Sequence, residues 1–194
     1  MLYIYKIIKT PFIAKCATDA QTMHKHLCGL VHTDRASANL LYKLDIQHGC
    51  LFLQSDIQPD ESPYFQLIYK VDIDTILSKK KIQEKIHLHL TTNAHMKRTV
   101  NGITKKVYVP KEKLESWVAE KLQRNGLNVY TIKEIAKQNV SFVHLGNCGG
   151  YANVTTHEFD IYGEISDMNL LCKAWKNGLG DHKAYGNGLF LLYQ

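Results

Sequence analysis

Residues 177–194 read NGLGDHKAYGNGLFLLYQ. Gly178, Gly180, Gly186 and Gly188 flank Lys183 in the spacing G-x-G-x5-G-x-G. A loop of this kind lets backbone come close to a phosphate. Its context decides the fold class. Before it, Met168, Leu171, Cys172 and Trp175 fall at i, i+3, i+4 and i+7, which predicts one apolar helix face behind a cap at Ser166 or Asp167. Gly178 ends that helix, and GLFLLY reads as a final strand. A dinucleotide-binding loop follows a strand and opens a helix, and a Walker A loop needs G-K-[ST] with a helix after it. Neither context exists here, so the chain is not read as a doubly wound nucleotide fold. A helix cap at Gly178 and a turn at 186–188 explain two or three glycines without any ligand. The flanking pairs around Lys183 are what point to an anion.

Working towards the N-terminus, ANVTTHEFDIYGEI and VSFVHL read as strands, and residues 111–125 as a helix with Leu114, Val118 and Leu122 inward and Gly126 closing it. MKRTV and ITKKVYV flank Asn101-Gly102, a strong hairpin signal, and KIHLHLTTN is a strand before them. The first half opens with a strand over 2–9 and PFIAKCATD as a connector. A one-sided helix over 19–32 follows, carried by Ala20, Met23, Leu27, Leu30 and Val31. NLLYKLDI and CLFLQS form a hairpin about QHG. SPYFQLIYKVDI and ILSKKKIQEK complete the half, the latter without a clear helix or strand pattern. Two halves of mixed β-α-β-β character predict an α+β fold of tandem ferredoxin-like (RRM-like) units, residues 1–85 and 86–194.

A chain of 194 residues buries roughly 70% of its unfolded surface, so it folds without metal or disulfide. The five cysteines are odd in number and contain no C-x-x-C pair, a reduced, cytoplasmic usage. MLYIYKIIKT is too short and too charged for a signal peptide, and no stretch is long enough to span a membrane. The net charge of +6 is uneven: 11 basic and 9 acidic side chains in 1–85, 13 and 9 in 86–194. Lys97, Arg98, Lys105, Lys106, Lys111 and Lys113 stand against a single acid, Glu112, within 95–113. Such a cluster suits a polyphosphate partner through ion pairing and counterion release, or simply a solvated loop.

Ten histidines invite a metal reading. His87 and His89 share one strand face with His95 nearby, but no acid lies in that stretch, and no metal site is expected. His24 and His26 sit at the edges of the apolar stripe of the 19–32 helix. An edge position shields an imidazole enough to move its pKa while leaving it reachable, as general acid–base chemistry requires. Periodicity does not choose between them.

Three segments together resemble the repeat-processing endoribonuclease of type I-E CRISPR systems, the CasE family. DAQTMHKHLCGLV is similar to that family's D-x-x-x-[ML]-H-x-x-L-x-x-L helix, and IHLHLTTNAHMKRTVNGITKKVYVP to its strand and basic hairpin ending in Val-Pro. HEFDIYGEISDMNLLCKAWKNGLGDHKAYGNGLFLL is similar to its ending, GIG-x-x-K-[AS]-x-G-x-G-L-L, although Ile161 and Gly163 depart from the pattern upstream. The resemblance spans the chain, with the glycine loop its most specific part.

The resemblance implies two ferredoxin-like domains and metal-independent cleavage of precursor CRISPR RNA beneath each repeat stem-loop. The upstream 2′-hydroxyl attacks the phosphorus, leaving a 2′,3′-cyclic phosphate, and no small-molecule cofactor takes part. The protein then stays on the guide RNA with the other Cascade subunits. His24 is implied as the catalytic histidine, with Gln21 where the family carries a tyrosine; Tyr3, Tyr5 or Lys25 are the candidates to make up for that departure, Lys25 as a cation next to His24 for the phosphorane charge. Lys97, Arg98, Lys105 and Lys106 are implied to grip the stem, and Gly178, Gly180, Lys183, Gly186 and Gly188 to hold backbone phosphates. Gln21 also keeps open a non-catalytic RNA-binding subunit of the same complex. A general RRM-like module is a further alternative, weakened by the lack of an RNP1-type aromatic signature; a phosphate-metabolite enzyme is more remote.

Overall fold

The computed structural model describes residues 1–100, 102–144 and 150–193. In the first half, β1 (Leu2–Ile7), α1 (Pro11–Thr18), α2 (Ala20–Leu30), β2 (Leu41–Asp45), β3 (Cys50–Gln54) and β4 (Phe65–Val71) build an antiparallel sheet of order β2-β3-β1-β4. This is the strand order of a ferredoxin-like unit. An irregular segment, residues 55–64, makes the return that a second helix makes in the complete unit. Helix α3 (Ile73–Ser78) follows, and the second half holds β5 (Lys85–Thr92), β6 (His95–Val100), β7 (Ile103–Tyr108), α4 (Leu114–Gln123), β8 (Leu127–His144), β9 (Gly150–Ile165), α5 (Met168–Asn177) and β10 (Phe190–Leu192). Its main sheet, β10-β5-β9-β8, has the full β-α-β-β-α-β connectivity, and β6–β7 is a separate hairpin inserted after β5. The predicted α+β fold of tandem ferredoxin-like units is the fold observed.

Local chemistry explains where the elements depart from expectation. The segment expected as a connector is α1: Thr10 caps it through Ile13 N–H, and Pro11 occupies the first turn, where its missing N–H costs nothing. Asp19 then caps α2 by accepting from Gln21 N–H. Strand β8 begins at Leu127, well before the expected VSFVHL, because register shifts near Val129/Thr131 and Glu134/Ala136 break its period-2 pattern. Asn101 and residues 145–149, including part of VSFVHL, lie outside the described residues; the β6–β7 register closes with Val100 opposite Ile103. The segment without a clear pattern starts as α3, capped by Asp72.

Each sheet covers one face with helices. Tyr3, Tyr5 and Ile7 alternate inward with Leu51 and Leu53 against Met23 and Leu27 of α2. Leu88, Leu90, Phe159 and Ile161 do the same against Val118, Leu122, Leu171 and Trp175, and α3 adds Ile73 and Leu77 to this second core.

The opposite sheet faces meet through polar groups. Lys43 Nζ of β2 lies 2.7 Å from Glu158 Oε2 of β9 and 3.0 Å from His89 Nε2 of β5. The hydrogen bond from His89, then the Lys43 ammonium, hold the Glu158 carboxyl down at about 2 against the opposing effect of burial. A carboxylate depressed in the folded state contributes stability that is present above its ordinary value of 4.5 and is lost as pH falls towards about 2. Gln54 Nε2 of β3 donates to the Trp175 and Lys176 carbonyls at 3.1 and 3.0 Å, satisfying the C-terminus of α5 from the other half.

Residues 178–188 thread between the halves, and their glycines are packing requirements. A Cβ on Gly178 (φ 70°) would meet Gly188 O at 2.8 Å and Leu41 Cδ1 at 2.8 Å, and one on Gly180 (φ 92°) would meet Thr92 Oγ1 at 2.2 Å. Gly180→Ala is therefore expected to destabilise the protein by more than ~1 kcal/mol in a denaturant titration. Gly29→Ala, on α2 with no atom within 4 Å of the new methyl group, should be neutral or stabilising by roughly 0.5 kcal/mol. Equal midpoints for the two variants would show that the strap is not closely packed.

Candidate active site and nucleic-acid interface

Helix α2 carries both edge histidines, and the structure separates their environments. His26 is held in an aromatic cage: ring centroids 4.9 Å from Phe12, 5.4 Å from Tyr64 and 5.8 Å from Phe65, with Nε2 3.2 Å from Ser62 Oγ. Those contacts are the packing of the first core. His24 faces the other way, towards the strap, where residues 183–185 form a 3-10 turn between His182 (φ 55°) and Gly186 (φ 81°). Its ring lies edge-on to Tyr185 at 6.2 Å, and Cys28 Sγ sits 3.7 Å from Nδ1 one turn along α2. Tyr42 OH donates to Ala184 O at 3.3 Å and stands 3.5 Å from Ala20 O, so one buried phenol ties the turn to the start of α2.

The electrostatics favour a neutral imidazole. Burial lowers the His24 pKa below 6.5, and the Arg35 charge lowers it further. Lys183 is also pushed down, by burial and by Arg35, with Asp181 acting against both. Among the described residues no hydrogen bond or ion pair engages the Lys183 ammonium, a half-buried cation on the turn that packs against α2. Tyr185 is raised by burial and stays a neutral phenol at physiological pH.

The other expected residues are distributed as follows. Gln21 precedes His24 by three residues, on the same stripe and half-buried, and its backbone N–H donates to Asp19 Oδ1 in the cap of α2. Lys25 is exposed, turned about 100° around the helix from His24. Gly178 and Gly188 are buried, and the Gly188 amide, expected at an RNA phosphate, donates instead to Thr91 O at 2.6 Å. Gly180 and Gly186 are half-buried. On the hairpin, Lys97 pairs with Lys106 and Arg98 with Lys105, so the four exposed cations are split two to each face.

The strap joins this hairpin to α2. Lys106 Nζ bonds Asp181 Oδ2 at 2.9 Å. Ring centroids then step from Tyr108 to His95 (4.4 Å), His95 to His182 (5.4 Å), His182 to Tyr185 (6.3 Å) and Tyr185 to His24 (6.2 Å). Arg35, Cys28 and Tyr185 were not singled out from sequence. Tyr185 is the one Phe, Tyr or Trp between Gly178 and Gly188 and was findable; Arg35 lies in a turn built on Asp34 and carries no pattern.

Away from this region, Asp160 engages His87, which stacks on Tyr162 at 3.8 Å. Among the described residues no group of three or more His, Cys, Asp or Glu side chains is arranged to hold a metal ion, and no helix is long and apolar enough to cross a membrane.

Comparison with known proteins places this arrangement in a family. The family model described as CRISPR associated protein matches residues 6–193, so the chain belongs to that family, as the sequence resemblance implied. No curated protein sequence matches. The CRISPR endoribonuclease Cse3 bound to a 19-nucleotide RNA superposes with a TM-score of 0.81 at 17% identity, over 100% of this chain and 99% of that one. Thermus thermophilus Cse3 bound to an RNA representing a pre-cleavage complex gives 0.77 at 16% identity, over 100% and 99%. Cas6e from Escherichia coli str. K-12 gives 0.71 at 20% identity, over 98% and 97%. At these identities the likeness establishes the fold.

The His24 imidazole should titrate below 6.5 when followed by NMR, and Arg35→Ala should move its midpoint part of the way back, burial being the larger cause. A midpoint that does not rise in Arg35→Ala would show that the guanidinium does not act on this ring.

Proposed function

We propose that this member of the CRISPR-associated family is an endoribonuclease that cuts the repeat stem-loops of a precursor CRISPR RNA and stays on the product as a Cascade subunit. The supporting observation is the approach of the strap turn to α2, where Tyr185 stands edge-on to His24 and the Arg35 charge acts on both His24 and Lys183, with the exposed cationic hairpin joined to that strap through Lys106–Asp181. The first unit, residues 1–85, supplies the catalytic helix; the second, 86–194, supplies the hairpin and the strap. The solved relatives include Cse3 bound to RNA and a CRISPR RNA-guided surveillance complex, which agrees with both proposed partners.

In this reading the nucleophile is the 2′-hydroxyl next to the scissile phosphate, so no metal-bound water is needed. Oxygen attacks phosphorus, the bond to the 5′-oxygen breaks, and the products are a 2′,3′-cyclic phosphate and a 5′-hydroxyl. A neutral His24 accepts the 2′ proton, or its protonated form supplies the proton taken up by the leaving oxygen. Lys183 and Arg35 offset the charge that builds on the phosphorane oxygens, in a half-buried site where each charge counts for more than in water. Tyr185 supplies a phenol beside the imidazole, a group that Gln21 cannot replace in proton handling. Gln21 can orient a phosphate oxygen, and Lys25 reaches the substrate from the solvent side of α2. Gly180 and Gly186 contribute by letting the strap fold to this shape; Lys97, Arg98, Lys105 and Lys106 hold stem phosphates from both faces of the hairpin.

Gln21 favours a second reading, an RNA-binding subunit with little or no cleavage. The two separate in one assay, cutting of a labelled CRISPR repeat stem-loop in EDTA. The main reading expects cleavage by the wild type, a loss of at least ~10²-fold in His24→Ala with binding kept, and a smaller loss, about tenfold, in Tyr185→Phe. Tight binding without cleavage by the wild type would establish the second reading. Equal cutting by wild type and His24→Ala would remove His24 from the mechanism. Lys105→Ala should lower the slope of log affinity against log salt by about 0.7–0.9, and an unchanged slope would mean it touches no phosphate.

A further inference from the structure

The hairpin is one wall of a groove of about 480 Å³ whose other wall is α4. From the hairpin side it is lined by His95, Lys97 and Lys106, and from α4 by Trp117, Lys121 and Arg124, residues at i, i+4 and i+7 on one helix face. Two carboxylates also reach it, and both are already matched: Asp181 bonds Lys106 at 2.9 Å, and Glu120 lies 3.5 Å from Arg124. Among the described residues Lys97 and Lys121 are left as cations with no carboxylate partner, facing the groove from opposite walls.

The α4 side is organised for a planar or anionic ligand. Trp117 is half-buried with one ring face under Lys121, whose Nζ stands 5.4 Å from the centroid. That contact holds the ammonium at the groove without neutralising it. Arg124 and Glu120 are 70% and 63% exposed, a surface pair of little intrinsic strength. A phosphate can take the guanidinium in place of that carboxylate, and can do so bidentately. The buried stripe of α4, Leu114, Val118 and Leu122, is committed to the core and plays no part in this.

We propose that α4 is a second RNA-binding element, with Lys121 and Arg124 contacting the phosphate backbone of the repeat stem that the hairpin grips from the other side. The inference rests on the functional reading above and extends its RNA footprint to an element that the sequence pattern left as a plain amphipathic helix. The stem is the occupant because the groove is continuous with the Lys97/Lys106 face of the hairpin, and a duplex presents phosphates from two strands to two walls. The cations on α4 act on affinity and do not touch the reacting atoms.

The test is binding of the labelled repeat stem-loop across a salt series by wild type, Lys121→Ala, Arg124→Ala and Lys121→Glu. Each alanine variant should lower the salt slope by about 0.7–0.9, and Lys121→Glu should weaken binding roughly tenfold near 0.1 M salt. The single-turnover cleavage rate at saturating RNA should stay at the wild-type value. Arg124 is so exposed that its alanine variant keeps the fold, which secures the result if Lys121→Glu misfolds. The same losses are expected with a stem-loop trimmed of its single-stranded flanks. Losses that vanish on the trimmed RNA would overturn the assignment to the stem. Unchanged affinity and slope in all three variants, with wild type binding well, would overturn α4 as an RNA wall and leave the proposed function standing. Failure of the wild type to bind the stem-loop at all would instead remove the functional reading.

Discussion

The arrangement depends on one steric constraint: an eleven-residue strap, 178–188, must pass between two sheets where there is no room for side chains on its inner face. Gly178 approaches Leu41 of the first half and Gly188 of the strap itself, while Gly180 lies on Thr92 of the second half. Five positive φ values, at glycines 178, 180, 186 and 188 and at His182, make the path possible. The hydrogen bonds follow from that path. Leu179 N–H donates to Gly188 O, Gly188 N–H to Thr91 O, and Thr92 Oγ1 to Leu179 O. Once the strap is laid down this way, the 183–185 turn has one place to go, against α2, and the site assembles there. The glycines thus serve the site at one remove: they shape the support, and Lys183 and Tyr185 project from it.

The two halves are locked by polar contacts at the same seam. Lys43, Glu158 and His89 are nearly dry, with side-chain exposures of 15, 9 and 5%. Such a cluster gives less net stability than an apolar core would, since desolvation offsets much of the attraction, but a wrong relative placement of the sheets would strand a buried charge. It therefore penalises misregistration of the halves. Gln54 capping the end of α5 acts in the same sense, because α5 leads directly into the strap. A site built from residues of both halves needs this fixed geometry, since small displacements of reacting groups are costly in rate.

How much of this was legible in the sequence follows from how local each determinant is. The apolar face of α2 with Met23 and Leu27, the α5 stripe of Leu171 and Trp175, the pairing of β6 with β7 and the glycine strap are local patterns, and they are where the sequence puts them. Helix α1 was hidden because its cap, Thr10, and its Pro11 look like a loop entrance when read without the helix behind them. Strand β8 was hidden because two bulges shift its alternation. His24 could be separated from His26 only through the family resemblance, since periodicity places both at stripe edges. The structure supplies the missing reason: Phe12, Tyr64 and Phe65 surround His26, and these come from α1 and from β4 and its approach, remote in sequence. Arg35 was illegible for the same reason, its role arising from what the fold sets beside it.

The electrostatic state of the free site bears directly on the proposed reaction. With Arg35 nearby and water partly excluded, His24 resists protonation, as do His182 on the strap and His95 on the hairpin beside it. Neutral imidazoles add no positive charge there, so the permanent attraction for RNA comes from lysines and arginines alone, which do not titrate near neutrality. With a phosphodiester seated at His24, as proposed, its negative charge reverses the local balance, favouring the imidazolium and drawing on the cations that had opposed it. The imidazole is then poised to receive a proton only when the phosphate is in place. In the proposed mechanism this couples proton transfer to correct seating of the substrate, and it ties the chemistry of His24 to the strap geometry that brings Tyr185 to its side.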